Sequence, residues 1–549
     1  MDSILARNHR PPANDRSGEK MKQGLLHLIP LLLVLLAACG APQVQQPDIS
    51  VTVMADGNSQ QVALSPGGTV RNALDSAGIS LSQTDRVDPP TYTTLKGGEI
   101  VVVTRVTEQF EDQTVVLPFQ RLELRNESMP AGETRLIQAG KNGLSTITIR
   151  HMYENGIEIG TGEQVSENIL QASIPEIVMV GVQSPFAPVP IAGKLAYLTG
   201  GNAWIMDEST SNRQPLVTSG DLDGRIFSLS PDGKWLLFTR KSSLPADQQF
   251  NALWVVSTAI PPTAPVNLNV ANIAHFADWQ PGVEYRIAYS TVEPRVAPPG
   301  WDANNDLHFL DFTNGKPGKT TDVLDTDYSS IYPWWGMTFV WSPDGKQLAY
   351  SRPDSIGLVD IDNAALTNLV SITALNTHSD WAWVPGLAWG SDNHSLYLVN
   401  HAAPTGLSSA EESTNFDLLM LSLSDKRSTP LVQQTGMFAY LSVSPLIQVE
   451  MGSTFQVAYL QAVSPAQSAT SRYRLMVMDQ NGLDPHVLFP AEGQTGLEPQ
   501  TPVWAPGALA SGNELIGVIY EGNLWLVDTV SGRAAQVTGD GLTSRIDWK

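Results

Sequence analysis

The chain has 549 residues, 33 Lys plus Arg against 55 Asp plus Glu, and a formal charge of −22. Acidity of that size repels phosphate backbones and anionic headgroups, and it excludes nucleic acid as a partner. A single cysteine rules out a disulfide framework, while 44 Gly and 38 Pro beside only 16% charged residues suit short strands joined by many turns.

The first element is the apolar run Leu28–Ala38, with Lys20 and Lys22 just before it. It is shorter than the ~20 residues that a spanning helix needs. It has the form of a signal-peptide h-region behind a positive n-region, so residues 1–38 read as a leader, and Met21 opens one of ordinary length. The sole cysteine, Cys39, follows directly and is either a structural residue or one kept for its thiol. The stretch "LAAC", Leu36–Cys39, resembles the lipobox of bacterial lipoproteins. The resemblance implies cleavage before Cys39, a diacylglyceryl group on its sulfur, and an extracytoplasmic protein lipid-anchored to the bacterial membrane. Two acyl chains hold a membrane stably where one holds it marginally. Residues 39–48 are polar and Pro-containing and read as a tether.

Residues 49–105 open with "ISVTVMADGNSQQVAL", two alternating runs around Asp56-Gly57, which predicts a hairpin. "TVRNALDSAGI" predicts a helix with Val70, Ala73 and Leu74 on one face and Gly78 at its end. "GGEIVVVTRV" then returns as a strand, giving a small ubiquitin-like α+β module. The stretch resembles the domain of unknown function that precedes the peptidoglycan-facing part of resuscitation-promoting factors.

Residues 106–182, with "GETRLIQAGKNGLSTITIRHMYENGIEIG" and the closing "PEIVMVG", resemble the five-glycine (G-five) domain. Gly132, Gly140, Gly143, Gly156 and Gly181 fit its five positions, each expected at a turn that needs positive φ. The resemblance implies a thin β ribbon that contacts peptidoglycan or an N-acetylglucosamine-containing glycan; the alternative is a spacer. Residues 183–192 form a Pro-rich linker.

From 193 to 549 a phrase recurs: "FSLSPDGKWLLFT" at 227, "FVWSPDGKQLAYS" at 339, "LAWGSDNHSLYLV" at 387 and "PVWAPGALASGNELIGVI" at 502, with looser copies at 276 and 440. Repeats of four short strands over about 40–60 residues are the signature of propeller blades. The phrases resemble the TolB-type β-propeller. The closing "SRIDWK" has no blade of its own and is expected to supply the innermost strand of the incomplete blade opened by "GKLAYLTGGNAWIMDE". The fold class is therefore mainly β, ending in a seven-bladed propeller, with six blades as the alternative.

Chemistry leaves few marks. No Gly-x-Ser-x-Gly elbow or His-Glu-x-x-His pair occurs. Asp302, Asn304 and Asp306 are spaced like the start of a calcium loop without its glycine or its final acid. The expectation is a binding protein with no catalytic residue, metal or cofactor; an extracellular hydrolase using the channel is the alternative. All fourteen tryptophans follow residue 203. Trp235, Trp254, Trp341, Trp389, Trp504 and Trp525 lie on strand phrases and predict core. Tyr328, Tyr332, Trp334 and Trp335 fall in one inter-blade link, and Asp380, Trp381 and Trp383 in the next. Such links surround the channel mouth, so these seven residues form the candidate binding face for a glycan or envelope protein; the alternative is that they pack over neighbouring loops. Asp325, Asp327 and Asp380 favour a partner with basic or hydroxyl-rich groups.

Overall fold

The computed structural model describes residues 47–127, 129–182, 186–449, 452–509 and 512–549. The leader, Cys39 and most of the tether lie outside the described residues. No described helix is long and apolar enough to cross a membrane. The protein is mainly β and divides into two compact units, one ending at Leu117 and resuming over Gly143–Ala172, the other made of Pro118–Asn142 and Ser173–Lys549.

In the first unit, Asp56 (φ +54) and Gly57 (φ +75) make the two-residue turn between Ile49–Ala55 and Asn58–Leu64. Both central residues take positive φ, which matches the right-handed twist of the strands. Ile100–Thr104 pairs parallel to Ile49–Ala55 and antiparallel to Arg86–Asp88. The helix Val70–Ala77 lies between, capped by Thr69 and Asn72 in a reciprocal box and ended by Gly78 at φ +72. Val70, Ala73 and Leu74 bury into the sheet with Val51, Val53 and Val101. Arg105, at the junction with the next strand, ties the hairpin turn to the segment between the helix and Arg86–Asp88. Its Nε and Nη2 donate to Asp56 (2.7 and 2.9 Å), and its Nη1 donates to Asp85 and to the Ser80 carbonyl (both 2.7 Å).

Beyond Arg105, Val106–Leu117 pairs antiparallel with Gly143–Glu154, which pairs with Ile157–Gln171. The Ile157–Gln171 strand is exposed along its whole length, so this ribbon draws on cross-strand pairs rather than on a core. Arg150 sits between Glu163 (2.6 Å) and Glu108 (3.5 Å). His151 meets Glu158 at 2.6 Å.

The five-glycine stretch contributes to both units. Its remaining strands form a separate sheet in the second unit, with Glu176–Gly181 parallel to Arg121–Asn126 and antiparallel to Thr134–Gln138. Leu124, Ile177 and Met179 from this sheet pack in one core with Tyr197, Trp204, Met206 and Trp548. Beside that core, Arg213 donates to Glu127 (2.8 Å) and to the Val537 and Thr210 carbonyls, and Glu127 also receives the Gly539 N–H. Gly132 and Gly156 take positive φ (+84 and +83) as expected. Gly140 and Gly181 are there for a different reason: a Cβ would collide with the Phe119 ring at the first and with the Pro130 carbonyl at the second. Gly143 opens a strand, opposite Leu117.

Among the described residues, seven sheets follow in succession, six of four strands and one of three, consistent with a propeller. The six four-stranded sheets open with Leu222–Leu229, Ala277–Trp279, Thr338–Trp341, Leu387–Trp389, Ser442–Val443 and Val503–Trp504, and each opening strand belongs to one of the repeated phrases. The Ser-Pro-Asp-Gly turn explains their regularity. Ser230 Oγ donates to Asp232 (2.7 Å) and accepts the N–H of Lys234 and Trp235, while Gly233 takes φ +66. Ser342, Asp344 and Gly345 repeat the arrangement. The indole following the strand reaches back: Trp279 Nε1 donates to Ser228 O (3.2 Å) and Trp389 Nε1 to Val340 O (2.9 Å), each on the preceding innermost strand.

The three-stranded sheet is the composite. Thr543–Trp548 pairs antiparallel with Pro190–Thr199, bringing Ile546 opposite Tyr197 and Trp548 opposite Leu195. One long strand, Asn202–Val217, follows on the other side of Pro190–Thr199 and carries Glu208 at φ +61 within it. The other edge of Thr543–Trp548 meets the next sheet, where Asp547 accepts the Leu229 N–H (2.6 Å) and Arg545 Nε donates to Gly224 O (2.7 Å). Innermost strands neighbour one another around the circle. Between Ala277–Trp279 and Thr338–Trp341 the link is made by Gln280 Nε2 on Gly345 O (2.9 Å) and the Phe276–Phe339 ring pair.

Removing Ser544–Lys549 takes out that strand together with buried Trp548 and half-buried Ile546. Each large apolar side chain contributes about 1.5–3 kcal/mol, so thermal denaturation of the truncated protein should show a markedly lower Tm or aggregation. A melting curve identical to that of the full chain would overturn the composite closure.

Candidate functional site

Each innermost strand begins where the link from the preceding sheet arrives, so all the links share one end of the central channel. The two aromatic links belong to this end: residues 325–337 lead into Thr338–Trp341, and 372–386 into Leu387–Trp389.

The first link is pinned by a residue that sequence reasoning missed. Asn305, buried and at φ +53, donates through Nδ2 to the carbonyls of Asp327 and Pro333 (both 2.8 Å), and its Oδ1 accepts the Met337 N–H (3.1 Å). A second clamp converges on the Trp335 carbonyl, which accepts from His275 Nε2 (2.7 Å) and Trp301 Nε1 (3.0 Å). A carbonyl can only accept, so the His275 proton is on Nε2. Burial pushes the His275 pKa down to about 4, which keeps the ring neutral at ordinary pH. Gly336, at φ +120, lets the link pass; a Cβ there would fall 2.6 Å from the His275 ring.

A continuous stack results. Tyr332 lies edge-on to Trp334 (6.5 Å), Trp334 to Trp335 (5.9 Å), and Trp335 packs on Trp301 (5.4 Å) and His275 (5.6 Å). The Arg225 guanidinium continues the stack, 4.8 Å from the Trp301 centroid and 5.1 Å from that of Phe250. Of the predicted residues, Tyr332, Trp334 and Trp335 are brought together half-buried, and Tyr328 is exposed at the rim. Trp301, His275, Arg225 and Phe250 were not singled out; Trp301 comes from a hairpin, Val292–Pro294 with Trp301–Ala303, that carries no blade phrase.

The second link divides. Trp381 is half-buried against Phe438 (6.3 Å), which stacks on Tyr440 (5.9 Å), and Asp380 is exposed beside it. Trp383 is not part of any binding face. It is 2% exposed, its Nε1 donates to Met437 O (2.9 Å), and it meets Phe416 edge-on in the core. Among the described residues, no ring contact joins the two links.

Trp341, Trp389 and Trp504 are buried as expected, while Trp235, Trp254 and Trp525 are half-buried. The calcium-like spacing does not converge. Asp306 accepts from Ser290, Thr291 and His308, Asn304 donates to Thr291, and Asp302 lies 3.5 Å from Arg295.

Because Gly336 combines φ +120 with contact on His275, Gly336→Ala should cost about 1–3 kcal/mol of backbone strain and loosen the Trp335 clamp. Tryptophan fluorescence should shift and Tm fall; an unchanged spectrum and melt would show that this link is not held as described.

Comparison with known proteins agrees with the two modules in front of the ring. Residues 51–91 match the G5-linked-Ubiquitin-like domain and residues 100–183 the G5 domain. No curated protein matches the chain. Among solved structures, the G5 domain of IgA1 protease is 26% identical over 15% of this chain and 94% of that one, with a TM-score of 0.11. Over the ring, the tricorn protease is 12% identical across 73% of this chain and 43% of its own length (TM-score 0.40). A functionally unknown protein from Desulfotomaculum acetoxidans is 13% identical across 65% of this chain and 98% of its own (TM-score 0.38). The chain thus carries a G5-linked ubiquitin-like domain and a G5 domain, followed by β-sheets arranged as in a propeller.

Proposed function

We propose that this protein is a lipid-anchored, extracytoplasmic binding protein of the bacterial envelope. In this reading the seven sheets are the blades of a TolB-type propeller. The G5 domain contacts peptidoglycan or another N-acetylglucosamine-containing glycan, and the channel mouth takes a glycan or an envelope protein. No catalytic step is assigned to it. The observation that carries the reading is the aromatic stack running from Tyr332 to Trp301 on one channel end, with Trp381 on the neighbouring link. Clustered, half-exposed indoles are disfavoured in water and characteristic of binding faces, where their flat apolar surface meets a sugar or a partner side chain.

Trp334→Ala combined with Trp381→Ala should weaken retention on purified cell wall or oligosaccharide arrays by at least about tenfold while the melting curve is preserved. Unchanged retention by a folded variant would move the site off this face. For the anchor, Cys39→Ser should send the protein to the soluble fraction or leave its leader uncut; a variant that is still correctly cut and membrane-bound would end the lipoprotein reading.

A further inference from the structure

Resting on the binding reading above, we propose that the channel mouth recognises an anionic oxyacid group, a carboxylate or a phosphate carried on a sugar, and that Arg225 receives it with Arg545 beside it.

Arg225 is the fourth residue of the innermost strand Leu222–Leu229 and is exposed. Its guanidinium is held flat by Trp301 and Phe250 (4.8 and 5.1 Å), yet among the described residues its side chain has no hydrogen-bond acceptor and no carboxylate within 4 Å. That is unlike Arg105, Arg213, Arg240 and Arg352, each of which pairs with an acid. Asp223, two residues away, acts on it through charge alone and makes no bond to its guanidinium. Its carboxylate is taken up by Thr239, by Asn251 Nδ2 (2.8 Å) and by the backbone N–H of Arg225 (3.0 Å).

Arg545 occupies the corresponding place on the closing strand. Its Nε donates to Gly224 O (2.7 Å), the residue before Arg225, and its Nη1 to Ser544 O (3.0 Å). It too has no ion-pair partner among the described residues. Both arginines therefore stand on adjoining innermost strands at the mouth, in a chain whose acids outnumber its bases by 55 to 33.

A stacked guanidinium keeps its in-plane N–H groups free, and a fixed plane suits two parallel bonds to one carboxylate or phosphate. Stacking also removes most of the side-chain freedom that binding would otherwise have to freeze. The rest of the ligand meets Trp335 and Trp334, whose faces suit the apolar side of a sugar ring. His275, neutral and committed to the Trp335 carbonyl, adds no charge. The overall charge of −22 opposes polyanions at long range, so the ligand is one with few charges.

The test uses the full chain and three probes on one sugar scaffold: N-acetylglucosamine, N-acetylmuramic acid, which adds a carboxylate, and N-acetylglucosamine 6-phosphate. Titration calorimetry or ligand-observed NMR should show at least one charged sugar bound about tenfold or more tighter than the neutral one. Arg225→Gln should erase that difference, and Arg545→Gln should reduce it. Which charged probe prevails separates carboxylate from phosphate. Should Arg225→Gln fold poorly, Arg225→Lys, which keeps the charge and loses the fork, should cut the preference severalfold. Equal affinity for all three sugars, or a preference untouched by the Arg225 variants, would overturn the inference. If neutral-sugar binding is still lost in the Trp334→Ala, Trp381→Ala variant, the aromatic face stands without its anion; if no sugar binds at all, the inference falls and the mouth is left to an envelope protein.

Discussion

A ring of sheets is free of exposed strand edges only if its first and last segments pair, and everything else in the larger unit depends on that pairing. Thr543–Trp548 supplies it on both sides. It forms a ladder with Pro190–Thr199 and bonds through Asp547 and Arg545 to the innermost strand of the neighbouring sheet. An unpaired edge at either place would offer a row of free N–H and C=O groups to any passing strand. The same strand carries Arg545 to the channel mouth, so the residue that helps shape the candidate site is delivered by the closure itself.

The second constraint is the clamp between Glu127 and Arg213. Both side chains are largely buried, and each has further bonds to backbone groups. An ion pair in such surroundings adds little over a hydrophobic pair of the same shape, but removing one partner leaves an unmet buried charge at a cost of about 3–5 kcal/mol. With Leu124, Ile177 and Met179 packed beside it, the clamp makes part of the five-glycine stretch a structural layer of the ring unit.

The repeat was legible because its phrase states a local mechanism. Ser, Pro, Asp and Gly build the turn by themselves, and the structure uses each atom as composition suggests. The degenerate copies at 276 and 440 still open four-stranded sheets, since the pattern of alternating apolar residues survives where the turn residues do not. Long-range roles were not legible. Asn305 sits in a segment whose neighbours hinted at calcium, but its function lies in bonds to residues 22 to 32 positions further on. Trp381 and Trp383 are two residues apart in one link, and only the Met437 carbonyl, 54 positions away, turns the second into core. Gly140 and Gly181 matched a family position, but the ring and the carbonyl that demand a missing Cβ, Phe119 and Pro130, come from connecting segments elsewhere in the sequence.

Arg105 has a consequence for how the first unit meets acid. Asp56 and Asp85 both lie below the ordinary carboxylate range. At Asp56 the chief cause is the hydrogen bond from Arg105; at Asp85 burial pulls the other way and is outweighed by bonds from Ser82, Arg105 and Val106. Groups whose folded pKa is depressed add stability above their unfolded pKa, and that stability fades only as the pH falls through the folded value. The joint between the ubiquitin-like module and the ribbon is therefore fastened by charges that stay ionised at any mildly acidic pH. Both carboxylates take up protons at lower pH than free aspartates do, so mild acidification leaves the joint charged.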